Sequence, residues 1–178
     1  WSGDIPASPG VSRHHGVTLA QATEPANAPQ PAAAASAALA WTFDAAQPGA
    51  SAGWTAERGT LTLGPGEARI QPDRNRRIVL VSPPGLPDAA RDADAFVLGL
   101  SGTGLERVRI QARRDARGGW ITIADASGNA LRETADGFVI KRGPAARGAP
   151  IERLRFEITW RTTTVRPLTR IAINPASR

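Results

Sequence analysis

Apolar and polar residues alternate along much of the chain with a period of two. In segment 105–113 the apolar side chains fall on every second position, and arginines occupy most of the positions between them. Segment 153–161 repeats the pattern and places Trp160 on the apolar side. Strict alternation over about seven or more residues is typical of an antiparallel strand with one buried face. Both segments are therefore predicted to be half-buried strands.

Seven further segments have the length and composition of strands, and Gly, Pro and Asp turns separate them. They are residues 60–63, 67–71, 77–82, 95–100, 120–124, 137–142 and 168–173. About ten short strands at this spacing are typical of a β-sandwich or barrel. The sequence shows no internal repeat and no convincing amphipathic helix after residue 40. The predicted fold is an all-β, antiparallel sandwich of the jelly-roll type.

The first 40 residues have a different composition. Segment 23–40 is rich in alanine and proline and has few large apolar side chains, so it cannot bury enough surface to offset the entropy of ordering. We interpret residues 1–40 as an extended N-terminal tail or linker and residues 41–178 as the jelly-roll domain. The chain begins with Trp1 and not with methionine, which indicates a processed chain or a piece of a longer one.

The domain is poor in the residues that carry catalysis. The chain has no cysteine, and both of its histidines, His14 and His15, lie in the tail. The missing cysteines exclude disulfides, zinc thiolates and thiol nucleophiles. The aspartates fall mostly in turns, where they bond to nearby backbone groups, and no two of them mark a glycosidase pair. The sequence predicts no catalytic residue, no metal site and no cofactor, and it has no apolar run long enough to span a bilayer.

Arginine dominates the charge. The net charge is +6, and Lys141 is the single lysine among 22 basic residues. If segments 105–113 and 153–161 are neighbours in one sheet, their outward arginines form a basic face. Such a face could bind carboxylate, sulfate or phosphate groups. Alternatively, it is a solvated surface balanced by partners such as Glu106 and Glu157, or the arginine content reflects a GC-rich genome. Nucleic acid is not a predicted partner, because interleaved exposed aromatics are missing.

Short motifs follow Trp41 in a recognisable order. Trp41-Thr42-Phe43-Asp44 comes first, Gly53-Trp54 follows, and the segments 61–63 and 66–70 then lead to Pro83. This order resembles the opening of galactose-binding-like jelly rolls and the related carbohydrate-binding modules. Those domains often begin with an aromatic-x-Phe-Asp strand that precedes a Gly-Trp. The resemblance implies a sandwich fold and a sugar-binding role.

The end of the chain is also similar to these modules. An alternating strand at 154–160 is followed by Pro167 and a closing Ile171-Ala172-Ile173 strand. Many members hold a structural calcium through acidic groups near both termini. Here Asp44 and the amide of Asn174 would be the only matching ligands. Calcium prefers about six to eight oxygen ligands, so the sequence assigns no metal.

The tryptophans and one arginine cluster are the candidate site residues. Trp41 and Trp160 alternate with apolar neighbours, which predicts that both lie in the core. Trp54 and Trp120 follow glycines, so either ring is a candidate platform for stacking on a sugar, with packing in the core or at an edge as the alternative. The candidate residues for acidic groups lie together in one predicted turn and are Arg74, Arg76 and Arg77.

These observations favour a non-catalytic, carbohydrate-binding module-like domain. We expect it to belong to a larger extracytoplasmic bacterial protein, periplasmic or at the cell surface or secreted, and to bind a glycan or exopolysaccharide. The alternative is a structural or protein-interaction domain of an envelope or polysaccharide-export assembly. In that case residues 1–40 would contact a protein partner.

Overall fold

The computed structural model describes residues 39–43, 53–64, 67–87, 90–101, 103–144 and 150–175. Almost all of the regular structure in these ranges is β, with one short 3-10 turn at Gly128–Ala130. No helix in the described ranges has the length and apolar character needed to cross a membrane. Residues 1–38 of the predicted tail lie outside the described residues, and the division into tail and domain stays a prediction.

Twelve strands are described. In chain order they are β1 Leu39–Thr42, β2 Thr55–Arg58, β3 Thr60–Gly64, β4 Glu67–Gln71, β5 Arg77–Val81, β6 Ala93–Leu100, β7 Leu105–Arg113, β8 Ile121–Ser127, β9 Arg132–Thr134, β10 Gly137–Lys141, β11 Arg153–Trp160 and β12 Arg166–Pro175.

The strands form two antiparallel sheets. One sheet has the order β3-β4-β12-β6-β10-β9, with β1 also paired to β12, and the other has the order β2-β5-β11-β7-β8. The chain passes repeatedly from one sheet to the other, so the order β4-β12-β6-β10 in the first corresponds to β5-β11-β7-β8 in the second. Eight strands nested in this way form a jelly roll. The predicted fold class is confirmed.

The core lies between the sheets and is built from their alternating inward positions. Leu154, Phe156, Ile158 and Trp160 of β11 are all buried, as the period of two predicts. Val108, Ile110 and Ala112, the alternate residues of β7, are also buried. Residues from both sheets join in one apolar cluster, so burial of this face holds the two layers together.

The first strand begins at Leu39, two residues before Trp41, and pairs with β12 over its whole length. At the other end of the same sheet, β9 and β10 are joined by a tight turn. Gly137, the first residue of β10, has φ +115, and a Cβ there would overlap the backbone carbonyl of Leu98. Only glycine fits such a close approach of two strands.

Candidate functional site

The candidate site lies on the outer face of the five-stranded sheet. Strands β7 and β11 are neighbours there, and Arg155, Glu157 and Thr159 of β11 lie opposite Gln111, Arg109 and Arg107 of β7. The outward rows of both strands therefore share one surface, which confirms the adjacency on which the predicted basic face depended. The two ends of this surface differ in how many carboxylates lie close to the arginines.

At the first end, which we call the paired end, acidic partners neutralise the arginines. Asp125 of β8 accepts hydrogen bonds from Nε of Arg107 at 2.8 Å and Nε of Arg109 at 3.2 Å. The Arg107 hydrogen bond is the main cause that lowers the pKa of Asp125, while partial burial opposes it. Arg77 of β5 donates to Glu157 at 2.9 Å. These five residues form two ion-paired groups, one around Asp125 and one between Arg77 and Glu157.

The opposite end, which we call the open end, consists of Gln111, Arg113, Trp120, Arg153 and Arg155. Arg113 lies directly opposite Arg153 on the neighbouring strand. Trp120 directly precedes β8, whose first residue pairs with the neighbour of Arg113. The guanidinium carbons of Arg113 and Arg155 lie 5.3 and 5.6 Å from the centre of the Trp120 ring. Both distances are typical of cation–π contacts, which hold the ring at the surface.

Carboxylates are scarce at the open end. Arg155 forms a salt bridge of 3.2 Å with Glu57 of β2. Neither Arg113 nor Arg153 has a carboxylate within salt-bridge distance among the described residues. Their Nε atoms, the Nε of Arg155 and the Oε1 of Gln111 are shielded from water and make no hydrogen bond within the described part of the chain. Polar groups in this state are rare in proteins.

Trp54 lies in the core and not at the surface, which corrects its selection as a candidate sugar platform. Its side chain is only 3% exposed. The ring packs edge-on against Trp41 at 5.3 Å and against Phe156 at 5.5 Å. Such T-shaped contacts are typical of aromatic rings packed in a core, and a ring this little exposed offers no platform to a sugar. The predicted core positions of Trp41 and Trp160 agree with the structure, since both are buried.

Of the predicted arginine cluster, Arg74 and Arg76 lie in the turn before β5, and Arg77 is the first residue of that strand. Asp73 organises this turn, because its Oδ1 accepts hydrogen bonds from the backbone N–H groups of Asn75 at 2.8 Å and Arg77 at 3.1 Å. Arg76 has φ +62, a conformation that glycine usually supplies.

This turn does not lie beside Trp120. Arg77 is opposite Thr159 of β11, whereas the open end is at Arg153. Six residues of a strand separate the two points by about 20 Å. The structure therefore does not bring the predicted arginine cluster and Trp120 into one site.

Sequence reasoning missed Gln111, Arg113, Arg153 and Arg155 as a group. Three of them were recognised as outward residues of a basic row. The information that singles them out is the strand register, which decides which arginines have a carboxylate opposite.

An apolar cleft of about 230 Å³ adjoins the edge strand β8. Apolar residues on its lining include Ala112, Ile121, Ile123, Pro144, Pro150 and Ile151. Ile121, which follows Trp120, is 46% exposed there. On the wall of the cleft, the buried guanidinium of Arg142 donates to the carbonyls of Ala90 and Ala93 at 3.2 and 3.4 Å. Arg142 thus ties β10 to the segment before β6.

Within the described ranges, no group of three His, Cys, Asp or Glu side chains is arranged to hold a metal ion. Asp44, the calcium ligand considered from the sequence, lies outside the described residues.

The fold and the site thus define a jelly-roll sandwich with an arginine–tryptophan surface. No protein-family model matches the sequence, and no curated protein matches it. Among solved structures, the chain is similar to PfGH50B, a glycoside hydrolase 50 structure, with a TM-score of 0.45 and 13% identity. The match covers 70% of this chain and 22% of PfGH50B. At this TM-score the similarity carries no argument about the function.

Proposed function

We propose that the chain is a non-catalytic carbohydrate-binding domain, similar to carbohydrate-binding modules, within a larger extracytoplasmic bacterial protein. Its ligand is a glycan or exopolysaccharide, and the open end is the binding surface. The observation that supports this proposal is the combination of a surface tryptophan with arginines that have no acidic partner.

Trp120 is suited to this role by its exposure. Of the four tryptophans in the described residues, Trp41, Trp54 and Trp160 are buried and Trp120 is half-buried. A tryptophan at the surface offers an apolar area on which the C–H groups of a pyranose can pack. The guanidinium groups of Arg113 and Arg155 lie against the same ring. They would donate hydrogen bonds to sugar hydroxyls at its border.

The test is affinity electrophoresis of the full 178-residue chain through gels that contain neutral or acidic polysaccharides. We expect retention by at least one polysaccharide and about tenfold weaker retention of Trp120→Ala, which corresponds to about 1.4 kcal/mol of lost contact. Val165→Ala is the matched control, because Val165 is 47% exposed and lies in the loop at the other end of β11. Circular dichroism would confirm that each variant is folded. No retention of the folded wild-type chain in any gel would contradict the proposal.

The alternative is a structural or protein-interaction domain of an envelope or polysaccharide-export assembly. The apolar cleft beside β8 supports it, since exposed Ile121 and two prolines line the opening. Chemical cross-linking of the wild-type chain and of Ile121→Asp in an extract of the source cells would compare the two functions. Cross-linked partners that disappear with Ile121→Asp, while no gel retains the chain, would favour the alternative.

A further inference from the structure

The open end also indicates which chemical class of glycan it selects. We propose that it binds acidic polysaccharides, with one carboxylate or sulfate group held between Arg113 and Arg153. This inference rests on the proposed function and adds to it the charge of the ligand and the two residues that bind that charge.

The first argument is the register of β7 and β11. Arg113 and Arg153 are directly opposite each other, so their Cβ atoms are about 4.5–5.5 Å apart. Like charges at directly opposed positions destabilise a sheet. On the same two strands, Arg109 lies opposite Glu157, an opposite charge. An anion bound between Arg113 and Arg153 would replace the repulsion between the two guanidinium groups with two ion pairs.

The second argument is the hydrogen bonding of the two side chains. A guanidinium binds a carboxylate or sulfate through two parallel N–H groups, and the Nε–H is often one of them. The Nε atoms of Arg113 and Arg153 have no acceptor in the described part of the chain and are shielded from water, so an anion reaches them when the two side chains turn outward. Arg166 and Arg170 of β12 also have an unpartnered Nε. The opposed pair of like charges is what distinguishes the open end from these two.

The third argument separates binding residues from a positioning residue. Arg155 already has Glu57 as its partner, at 3.2 Å, and lies against Trp120. Arg113 also lies against the ring, so the salt bridge to Glu57 is what makes Arg155 the positioning residue, while Arg113 and Arg153 receive the anion. The sugar ring that carries the anionic group would then lie against Trp120, next to Arg113 in the same row of the sheet.

An acidic glycan fits this surface better than a nucleic acid does. Binding of a nucleic acid relies on many phosphate contacts and on several aromatic side chains that stack with bases. At the paired end, Asp125 and Glu157 already occupy the arginines. The open end offers two arginines without a carboxylate partner in the described ranges and one ring, which is enough for one acidic sugar unit.

The experiment measures retention of the full chain by polygalacturonate, dextran sulfate, neutral dextran and a single-stranded DNA 20-mer at matched ionic strength. We expect about tenfold tighter retention by one or both acidic polysaccharides than by dextran, and this preference should fall with added salt. Arg113→Gln combined with Arg153→Gln should abolish the preference. The control is Arg69→Gln combined with Arg161→Gln, which removes the same charge from two exposed side chains elsewhere and should retain the preference.

A second readout is the melting temperature. Dextran sulfate should raise the melting temperature of the wild-type chain but not that of the double variant. Arg153→Gln alone should raise the melting temperature without ligand by about 1–3 °C, because it relieves the like-charge repulsion.

The outcomes separate this inference from the proposed function. Equal retention by dextran and both acidic polysaccharides, with Trp120→Ala still defective, overturns the acidic selectivity and leaves glycan binding standing. Tighter retention by DNA than by any polysaccharide overturns the glycan as ligand. If no polysaccharide retains the chain while dextran sulfate stabilises only the wild type, the anion site stands and the proposed function fails. An unchanged preference in the double variant overturns the assignment of Arg113 and Arg153.

Discussion

The two ends of the outer face are built from the same two strands and the same residue type, but they differ in their partners. At the paired end, Arg107 and Arg109 share Asp125, and Arg77 has Glu157. At the open end, Arg113 lies opposite Arg153 and neither has a carboxylate partner in the described ranges. Arginine content alone therefore does not locate a binding surface. The arrangement of acidic residues around the arginines does.

The largest effect on stability is expected from replacing the two candidate tryptophans, one of which lies in the core and the other at the surface. Trp54→Ala should lower the free energy of unfolding by about 3–5 kcal/mol, because it leaves a cavity among Trp41, Phe43 and Phe156. Trp120→Ala, which removes two cation–π contacts at the surface of the open end, should lower it by only about 1–2 kcal/mol. Urea unfolding of both variants measures the difference. Equal losses would mean that Trp120 is also a core residue and would remove it from the site.

The next effect comes from making the paired end resemble the open end. Glu157→Lys places a cation opposite Arg109 and removes the partner of Arg77. We expect a loss of about 1–2 kcal/mol in the free energy of unfolding and a larger stabilisation by dextran sulfate than in the wild type. Glu67→Lys on β4 is the matched control for the change in charge. If Glu157→Lys behaves like this control, the carboxylate at the paired end is not what separates the two ends.

A smaller effect tests the same network through pH. Because hydrogen bonds from Arg107 hold the pKa of Asp125 below its ordinary value, this carboxylate stabilises the fold above about pH 4, the pKa range of an unfolded aspartate. The contribution is lost as the pH falls through the lower pKa of the folded state. Asp125→Asn should lower stability by about 0.5–1 kcal/mol at pH 7 and flatten its decline on acidification. Urea unfolding of the wild type and of Asp125→Asn between pH 7 and pH 2 measures both effects. If the free energy of unfolding falls equally steeply with pH in the two proteins, Asp125 is not stabilised by Arg107.

The smallest effect concerns Arg76, a candidate binding residue in the turn at the paired end. Its φ of +62 strains an arginine, so Arg76→Gly should raise the free energy of unfolding by about 0.5 kcal/mol. Arg74→Gly is the control, since Arg74 does not have a positive φ, and it should be neutral or destabilising. Retention by polysaccharides should be unchanged in both variants. If both variants lost retention, the turn would be part of the binding surface, contrary to this prediction.

The fold could be predicted in large part because alternation is a local property. The inward positions of β7 and β11 follow from the sequence of each strand alone. The turn residues also separate most strands correctly, although β2 and the short β9 were not among the predicted strands.

The site was harder to predict because it depends on pairing between distant strands. Arg113 and Arg153 are each ordinary outward arginines in their own segments. Their significance comes from a register that joins residues 40 positions apart in the chain. The position of Trp54, in the core or at the surface, could not be decided from the sequence for a related reason. Glycine before a tryptophan indicates a turn, but it does not indicate whether the ring points between the sheets or away from them.

The order of strands also has a consequence for how the chain is made. β11 and β12 are the last two strands described, and each lies in the middle of its sheet, where it joins β5 to β7 and β4 to β6. During synthesis from the N-terminal end, neither sheet can close until residues 153–175 have emerged. Until then, the earlier strands expose edges that can pair with other chains. We expect folding to be a slow, late event of the millisecond-to-second class, so a chaperone that shields these edges would raise the yield of folded protein.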